Sequence, residues 1–171
     1  DSSLGVYNEP EASHAQVATY VAKIGSYVKM DYGVKDSGAT LANAKKCLKS
    51  DFRYGRVAQH RYSFDKVKER LERSTLVYMR GRHSSGGNAF VIDGYIKRER
   101  ADVYYPRYKQ TQYLLHINWG WEGYCDGYFT EGAFSPSDPV LNDTDIGDDI
   151  AISGRKAYIK NFKILTWKSV N

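Results

Sequence analysis

The hydrophobic period of this chain changes once, after Ser74, and that switch constrains the fold more than any other feature. Before it, apolar residues recur at helical spacing. In "SHAQVATYVAKIGSYVKM", Ala15, Val17, Ala18, Val21, Ala22 and Ile24 fall on one stripe behind Ser13, a candidate N-cap, and Gly25 marks a break or C-cap. In "DSGATLANAKKCLKSDF", Leu41, Ala44 and Leu48 share a face with Cys47 beside them, and "SFDKVKERLERS" repeats Phe64, Val67 and Leu71 behind a Ser63 cap. After Ser74, short runs rich in Val, Ile, Tyr and Phe alternate with Gly, Pro and charge: "TLVYMRG", "NAFVIDGY", "ADVYYPRY", "QYLLHINW" and "DGYFTEG". These predict consecutive antiparallel strands, and "RKAYIKNF" and "FKILTWKS" predict a last pair. Helices first and strands afterwards make an α+β chain with segregated layers.

Composition narrows the function classes. The 15 tyrosines favour strands with large half-buried faces. The chain carries +5 formal charge and a pI near 9.1, yet its basic residues are scattered: Arg53 and Arg56, Arg70 and Arg73, then Lys97, Arg98 and Arg100. Asp138, Asp143, Asp145, Asp148 and Asp149 form an acidic stretch instead. Nucleic-acid binding needs a basic patch on one face, so none is expected. No apolar run approaches the roughly 18 residues of a membrane span, and the first residues read as neither a signal nor a transit peptide, so no membrane partner is expected either. The opening "DSSLGVYNEPEASHA" reads as an interior or processed start.

Cys47 and Cys125 cannot define a disulfide framework, and an apolar helical setting makes Cys47 a core thiol rather than a nucleophile. His14, His60, His83 and His116 lack zinc-ligand spacing, so neither a metal nor a cofactor is expected.

Two stretches stand out, "GGNAFVIDG" at residues 86–94 and "LLHINWGWEGYCDGYF" at residues 114–129. Read alone, Trp119 and Trp121 are core residues and Gly120, Gly123 and Gly127 serve turns. Together the stretches resemble the streptopain family of papain-fold cysteine peptidases. In that family the first stretch appears as Gly-His-Ala-Phe-Val-x-Asp-Gly. The second appears as His-x-Asn-Trp-Gly-Trp-Gly-Gly followed by Asp-Gly-Phe/Tyr-Phe. The likeness extends to "IGSYVKMDYG" at residues 24–33 and "LVYMRG", and covers roughly residues 11–165.

The resemblance implies a papain-like fold over residues 1–171, or the larger part of one, with residues 11–74 its helical portion and 75–171 an antiparallel β-barrel-like portion. It implies peptide-bond hydrolysis by a thiolate and an imidazole, the imidazole oriented by a third group. Asn88 then occupies the position of the catalytic histidine. Asn118 and Trp119 flank the imidazole, Trp119 and Trp121 shield it from water, and Gly86, Gly87, Ala89 and Trp121 line the substrate path.

The departures matter as much as the likeness. An amide at residue 88 cannot titrate near neutral pH, so it is neither general base nor general acid. The family's Gly-Cys-Val-Ala-Thr-like nucleophile segment does not occur in these 171 residues. Pairing His83 or His116 with Cys125 would make a new dyad, but spacing alone supports neither. The chain is therefore expected to hydrolyse nothing by itself. It reads as the histidine side of a peptidase, its nucleophile carried by another segment or chain after autoprocessing, or as a pseudopeptidase with a binding or inhibitory role.

Implied partners are a protein or peptide substrate, or a second chain bearing the cysteine, with association through the face a half-domain leaves open. The implied location is bacterial and secreted, cell-surface or periplasmic. Between Gly94 and His116 the run "YIKRERADVYYPRYKQTQYLL" exceeds the family's usual turn, which predicts a projecting hairpin that could serve as a partner-binding arm. The acidic "SDPVLNDTDIGDDIAIS" replaces a Gly-rich loop, so substrate preference does not carry over.

Overall fold

A computed structural model describes residues 11–34, 36–84, 86–101, 104–105, 107–132, 134–137, 139, 141–142, 157–158 and 160–168. The chain divides into two compact units, residues 1–55 and 56–169, apart from the extreme C-terminus.

The first unit holds helix α1 (Glu11–Tyr27), the short strands β1 (Asp31–Tyr32) and β2 (Ser37–Gly38), helix α2 (Leu41–Lys46) and a π-helical turn over Cys47–Asp51. The expected helix therefore begins two residues before Ser13 and runs past Gly25. Its predicted apolar stripe is not packed within the unit, for Val17 and Val21 are 62% and 59% exposed. The expected second helix divides in two. Thr40 caps α2 by accepting from the Asn43 amide at 3.1 Å, and Cys47 opens the π-turn, 3% exposed. Burial first, and the Asp51 carboxylate second, push the Cys47 thiol up from its ordinary pKa, as expected of a core cysteine.

The second unit is built on a seven-stranded sheet ordered β3–β9–β4–β5–β6–β7–β8. Its strands are β3 (Gly55–Arg61), β4 (Val77–His83), β5 (Gly86–Ala101), β6 (Lys109–Asn118), β7 (Gly127–Thr130), β8 (Leu141–Asn142) and β9 (Lys160–Lys168). β4 to β8 form an antiparallel meander, and β9 returns beside β4. The α+β architecture is as expected, but the sheet stays open rather than closing as a barrel.

Helix α3 (Phe64–Leu71) is as expected. Ser63 stands at its N-cap in extended backbone, yet its hydroxyl makes no capping bond. The helix seats Val67 fully in the core and lays Phe64 against Tyr113 with ring centroids 4.6 Å apart. That core is continuous. Val77, Met79, Phe90, Ile92, Leu115, Ile117, Phe129 and Ile164 surround an aromatic cluster of Trp119, Phe134 and Tyr158.

Two strand expectations change. "ADVYYPRY" does not supply a strand of its own: Ala101 ends β5, β6 begins at Lys109, and the described residues between them, Tyr104, Tyr105, Arg107 and Tyr108, lie in no strand, at the end of the expected hairpin. "RKAYIKNF" and "FKILTWKS" supply one strand, β9, while Tyr158 makes only an isolated bridge to Phe134 among the described residues. The acidic residues Asp138, Asp143, Asp145, Asp148 and Asp149 lie outside the described residues.

Candidate functional site

The site is assembled by the inner ends of β4, β5 and β6. Gly81 pairs with Asn88, His83 with Gly86, Met79 with Phe90 and Ile92 with Ile117. Because side chains alternate across a sheet, Gly86, Asn88, Phe90 and Ile92 share the core face with Met79, Gly81 and His83. Gly81 is required there. A Cβ at this position would lie 2.8 Å from the Phe162 ring and 3.1 Å from Tyr158. The floor beneath Asn88 is aromatic: Tyr158 stacks on Trp119 at 5.4 Å, Trp119 on Trp121 at 5.6 Å, and Phe90 meets Trp119 at 4.6 Å.

Asn88 itself is half-buried, and its amide nitrogen is buried without a hydrogen-bond partner among the described residues. A buried donor left unpaired costs about 1–3 kcal/mol, so the fold alone does not favour an amide here. His83, diagonal to Asn88 on the same face, packs its ring 5.3 Å from Tyr158. It is thus a strand residue placed against the aromatic cluster.

The second stretch forms a tight turn held by its own polar groups. Trp119 donates its backbone N–H to the buried Asp126 carboxylate at 2.8 Å and its indole N–H to the Cys125 carbonyl at 2.9 Å. Tyr124 and Asp126 each donate a backbone N–H three residues back, to Trp121 and Gly123. Left-handed backbone recurs at Gly120, Glu122, Gly123 and Cys125, with φ of 75°, 57°, 88° and 64°. Glu122 stands where the family pattern Asn-Trp-Gly-Trp-Gly-Gly has glycine, a departure legible in the sequence and missed there. A non-glycine residue in this conformation costs on the order of 1–2 kcal/mol.

The two motif-bearing strands are neighbours, but their two amides do not meet. Asn118 lies opposite Val91, which puts its side chain on the face away from Asn88. Its carboxamide oxygen accepts the Gly120 backbone N–H at 2.8 Å. Gly87 and Ala89 share that outer face, pairing with Arg82 and Arg80, whereas Gly86 and Trp121 lie with Asn88 and Trp119 on the inner side. His116 also belongs to the outer face. Its Nδ1 is bonded to the Asp93 carboxylate and its ring packs 4.8 Å from Tyr128. Asp93 is the extra residue of a β-bulge between Ile92 and Gly94, and sequence reading gave it no role. Among the described residues no three His, Cys, Asp or Glu side chains gather in a metal-binding group.

This geometry coincides with a match to the Peptidase C10 family over residues 3–129. The chain belongs to the Peptidase C10 family. It is 31% identical over 137 residues to streptopain of Streptococcus pyogenes, covering 75% of this chain and 31% of that protein. It is 26% identical over 142 residues to the thiol protease/hemagglutinin PrtT of Porphyromonas gingivalis, covering 78% of this chain and 14% of that one. The chain thus spans about a third or less of the relatives it matches. A solved fragment of Prevotella intermedia prointerpain A shares the fold at a TM-score of 0.58, with 23% identity, 93% of this chain and 43% of that one covered. The family match ends at Phe129, within β7, so Asn88, Phe90, Trp119 and Trp121 fall inside it and Tyr158 lies beyond it.

Proposed function

We propose that this chain is the histidine-side portion of a streptopain-like cysteine endopeptidase scaffold and that, as it stands, it does not cleave peptide bonds. The observation that carries the reading is Asn88. It lies on the core face with Phe90, its amide nitrogen buried without a partner among the described residues, where the family resemblance would put the imidazole. An amide neither gains nor loses a proton near neutral pH, and losing the general acid–base group costs on the order of 10²–10⁴ in rate. The nucleophile would come from a segment or chain outside these 171 residues, because Cys47 is buried with its thiol pKa pushed up. Asn118 would then hold the Trp119–Trp121 turn in shape through the Gly120 amide, and Trp119 would close the floor of the cleft. The relatives are bacterial, and the proposal places this chain, as a streptopain-like scaffold, outside the bacterial cytoplasm. Among the described residues no helix is long and apolar enough to cross a membrane.

Casein hydrolysis tests the reading. The purified chain should show no turnover that a thiol alkylator abolishes, and detecting such turnover overturns the proposal. In the full-length protein, Asn88→His should raise thiol-dependent hydrolysis by about 10²-fold or more. If that variant folds and stays inactive, the peptidase reading fails for this sequence.

A second reading, a pseudopeptidase acting as a protein-binding module, is favoured by one specific observation. Exposed tyrosines crowd the end of the β5–β6 hairpin, far along the strands from Asn88.

A further inference from the structure

We propose that the outer end of the β5–β6 hairpin is a docking arm for a protein partner that presents carboxylates around an apolar recess. This names the surface for the binding-module reading and leaves the chemistry at residue 88 untouched.

β4 accompanies β5 only from Gly86 to Ile92, and β7 accompanies β6 only from Leu114 to Ile117. Beyond them, Lys97–Ala101 and Lys109–Tyr113 pair, among the described residues, only with each other. A two-stranded ribbon is marginal alone, and side chains hold this one. Arg98 donates to Gln112 at 2.7 Å, and Lys97 and Lys109 both reach the Glu99 carboxylate, at 2.8 and 3.3 Å.

At its end Tyr104, Tyr105 and Tyr108 are 86%, 67% and 71% exposed. The turn is already shaped: the Tyr108 N–H donates to the Tyr105 carbonyl at 2.8 Å, and the two rings meet edge to face at 6.3 Å. Ordering before contact lowers the entropy lost on binding.

Magnitudes favour a protein partner. A tyrosine buries about 150–250 Å², so three supply roughly 450–750 Å², close to the ~800 Å² each partner gives to a standard interface. The arm's charge is complementary to carboxylates. Glu99 occupies both lysines, whereas Arg98 is held by a neutral amide, and Arg107, between Tyr105 and Tyr108, makes no ion pair among the described residues. Tyrosine and arginine are the residue types that dominate binding energy at protein interfaces. Nucleic acid would want an unbroken basic stripe, and this arm neutralises part of its own. A lipid surface would want Trp, Phe or Leu, and the described tip residues offer tyrosine.

Fluorescence anisotropy on the full chain tests this. The probes are a labelled peptide alternating glutamate and leucine, its Ser-Leu and Glu-Ser counterparts, an oligothymidylate, and phosphatidylserine vesicles followed by co-sedimentation. The Glu-Leu peptide should bind best. Its affinity should fall about tenfold or more in the Tyr104→Ser, Tyr105→Ser, Tyr108→Ser variant. Arg98→Glu with Arg107→Glu should reverse the preference toward a Lys-Leu peptide. Unchanged far-UV circular dichroism, and binding retained when the tyrosines become Phe, show that the loss comes from the rings. No peptide binding, equal binding by the serine variant, tighter binding of oligonucleotide or vesicles, or arm-dependent self-association in sedimentation would each overturn the proposal. Casein hydrolysis by Asn88→His reads another part of the chain, so either proposal can fail alone.

Discussion

The two ends of the β5–β6 hairpin share the same two strands and antiparallel pairing, and differ in nearly everything else. At the inner end Phe90, Ile92, Leu115 and Ile117 are fully buried among aromatic rings. At the outer end polar and charged residues face water on both strands, and three tyrosines stand in solvent. Backbone pairing therefore decides neither stability nor function here. What each end packs against does, which makes the inner end a structural commitment and the outer end a surface open to change.

Substitutions at the two ends should separate accordingly. Trp119→Ala removes the hub of the aromatic floor, and urea denaturation should show a loss of about 3–5 kcal/mol. A loss below about 1 kcal/mol would mean that the inner end is not the stabilising one. Asp126→Ala strips the Trp119 N–H of its buried acceptor and should cost about 1–3 kcal/mol. Combined with Trp119→Ala it should cost less than the sum, because the two residues act as a unit. Asn88→Leu replaces an unpaired buried donor with an apolar side chain of similar shape and should gain about 1 kcal/mol. Destabilisation would show that the amide does structural work. Tyr104→Ser should leave the urea midpoint within about 0.5 kcal/mol, since it touches only the outer end. A larger change would erase the contrast.

The contrast also explains what the sequence disclosed. The period switch after Ser74 is visible because burial imposes it, so α3 and strands β4, β5, β6 and β7 are legible where their residues pack. β3, "GRVAQHR", is largely exposed and polar, so it carries no alternation to read. "ADVYYPRY" misleads for the opposite reason: its aromatics suit a strand but serve an exposed turn. In α1 the stripe is real, yet Val17 and Val21 stay exposed, since periodicity states what a face can bury and not what covers it.

At the candidate site, residue identities were legible from the two motifs, including the amide at residue 88. Their faces were not. That Asn118 falls opposite Val91, away from Asn88, depends on a register set by pairing across 27 residues of chain, which no local pattern encodes.

The bulge at Asp93 has a consequence for how such a hairpin can be edited. Before it, the even-numbered residues of β5 face the aromatic cluster; after it, Tyr95, opposite the buried Leu115, carries the inward phase on an odd number. One residue of slack, pinned by the bond from Asp93 to His116, works as an expansion joint between two modules. Changes in length beyond the joint do not shift the phase of the motif behind it. The scaffold can thus exchange one arm for another while Asn88, Phe90 and Ile92 keep their places.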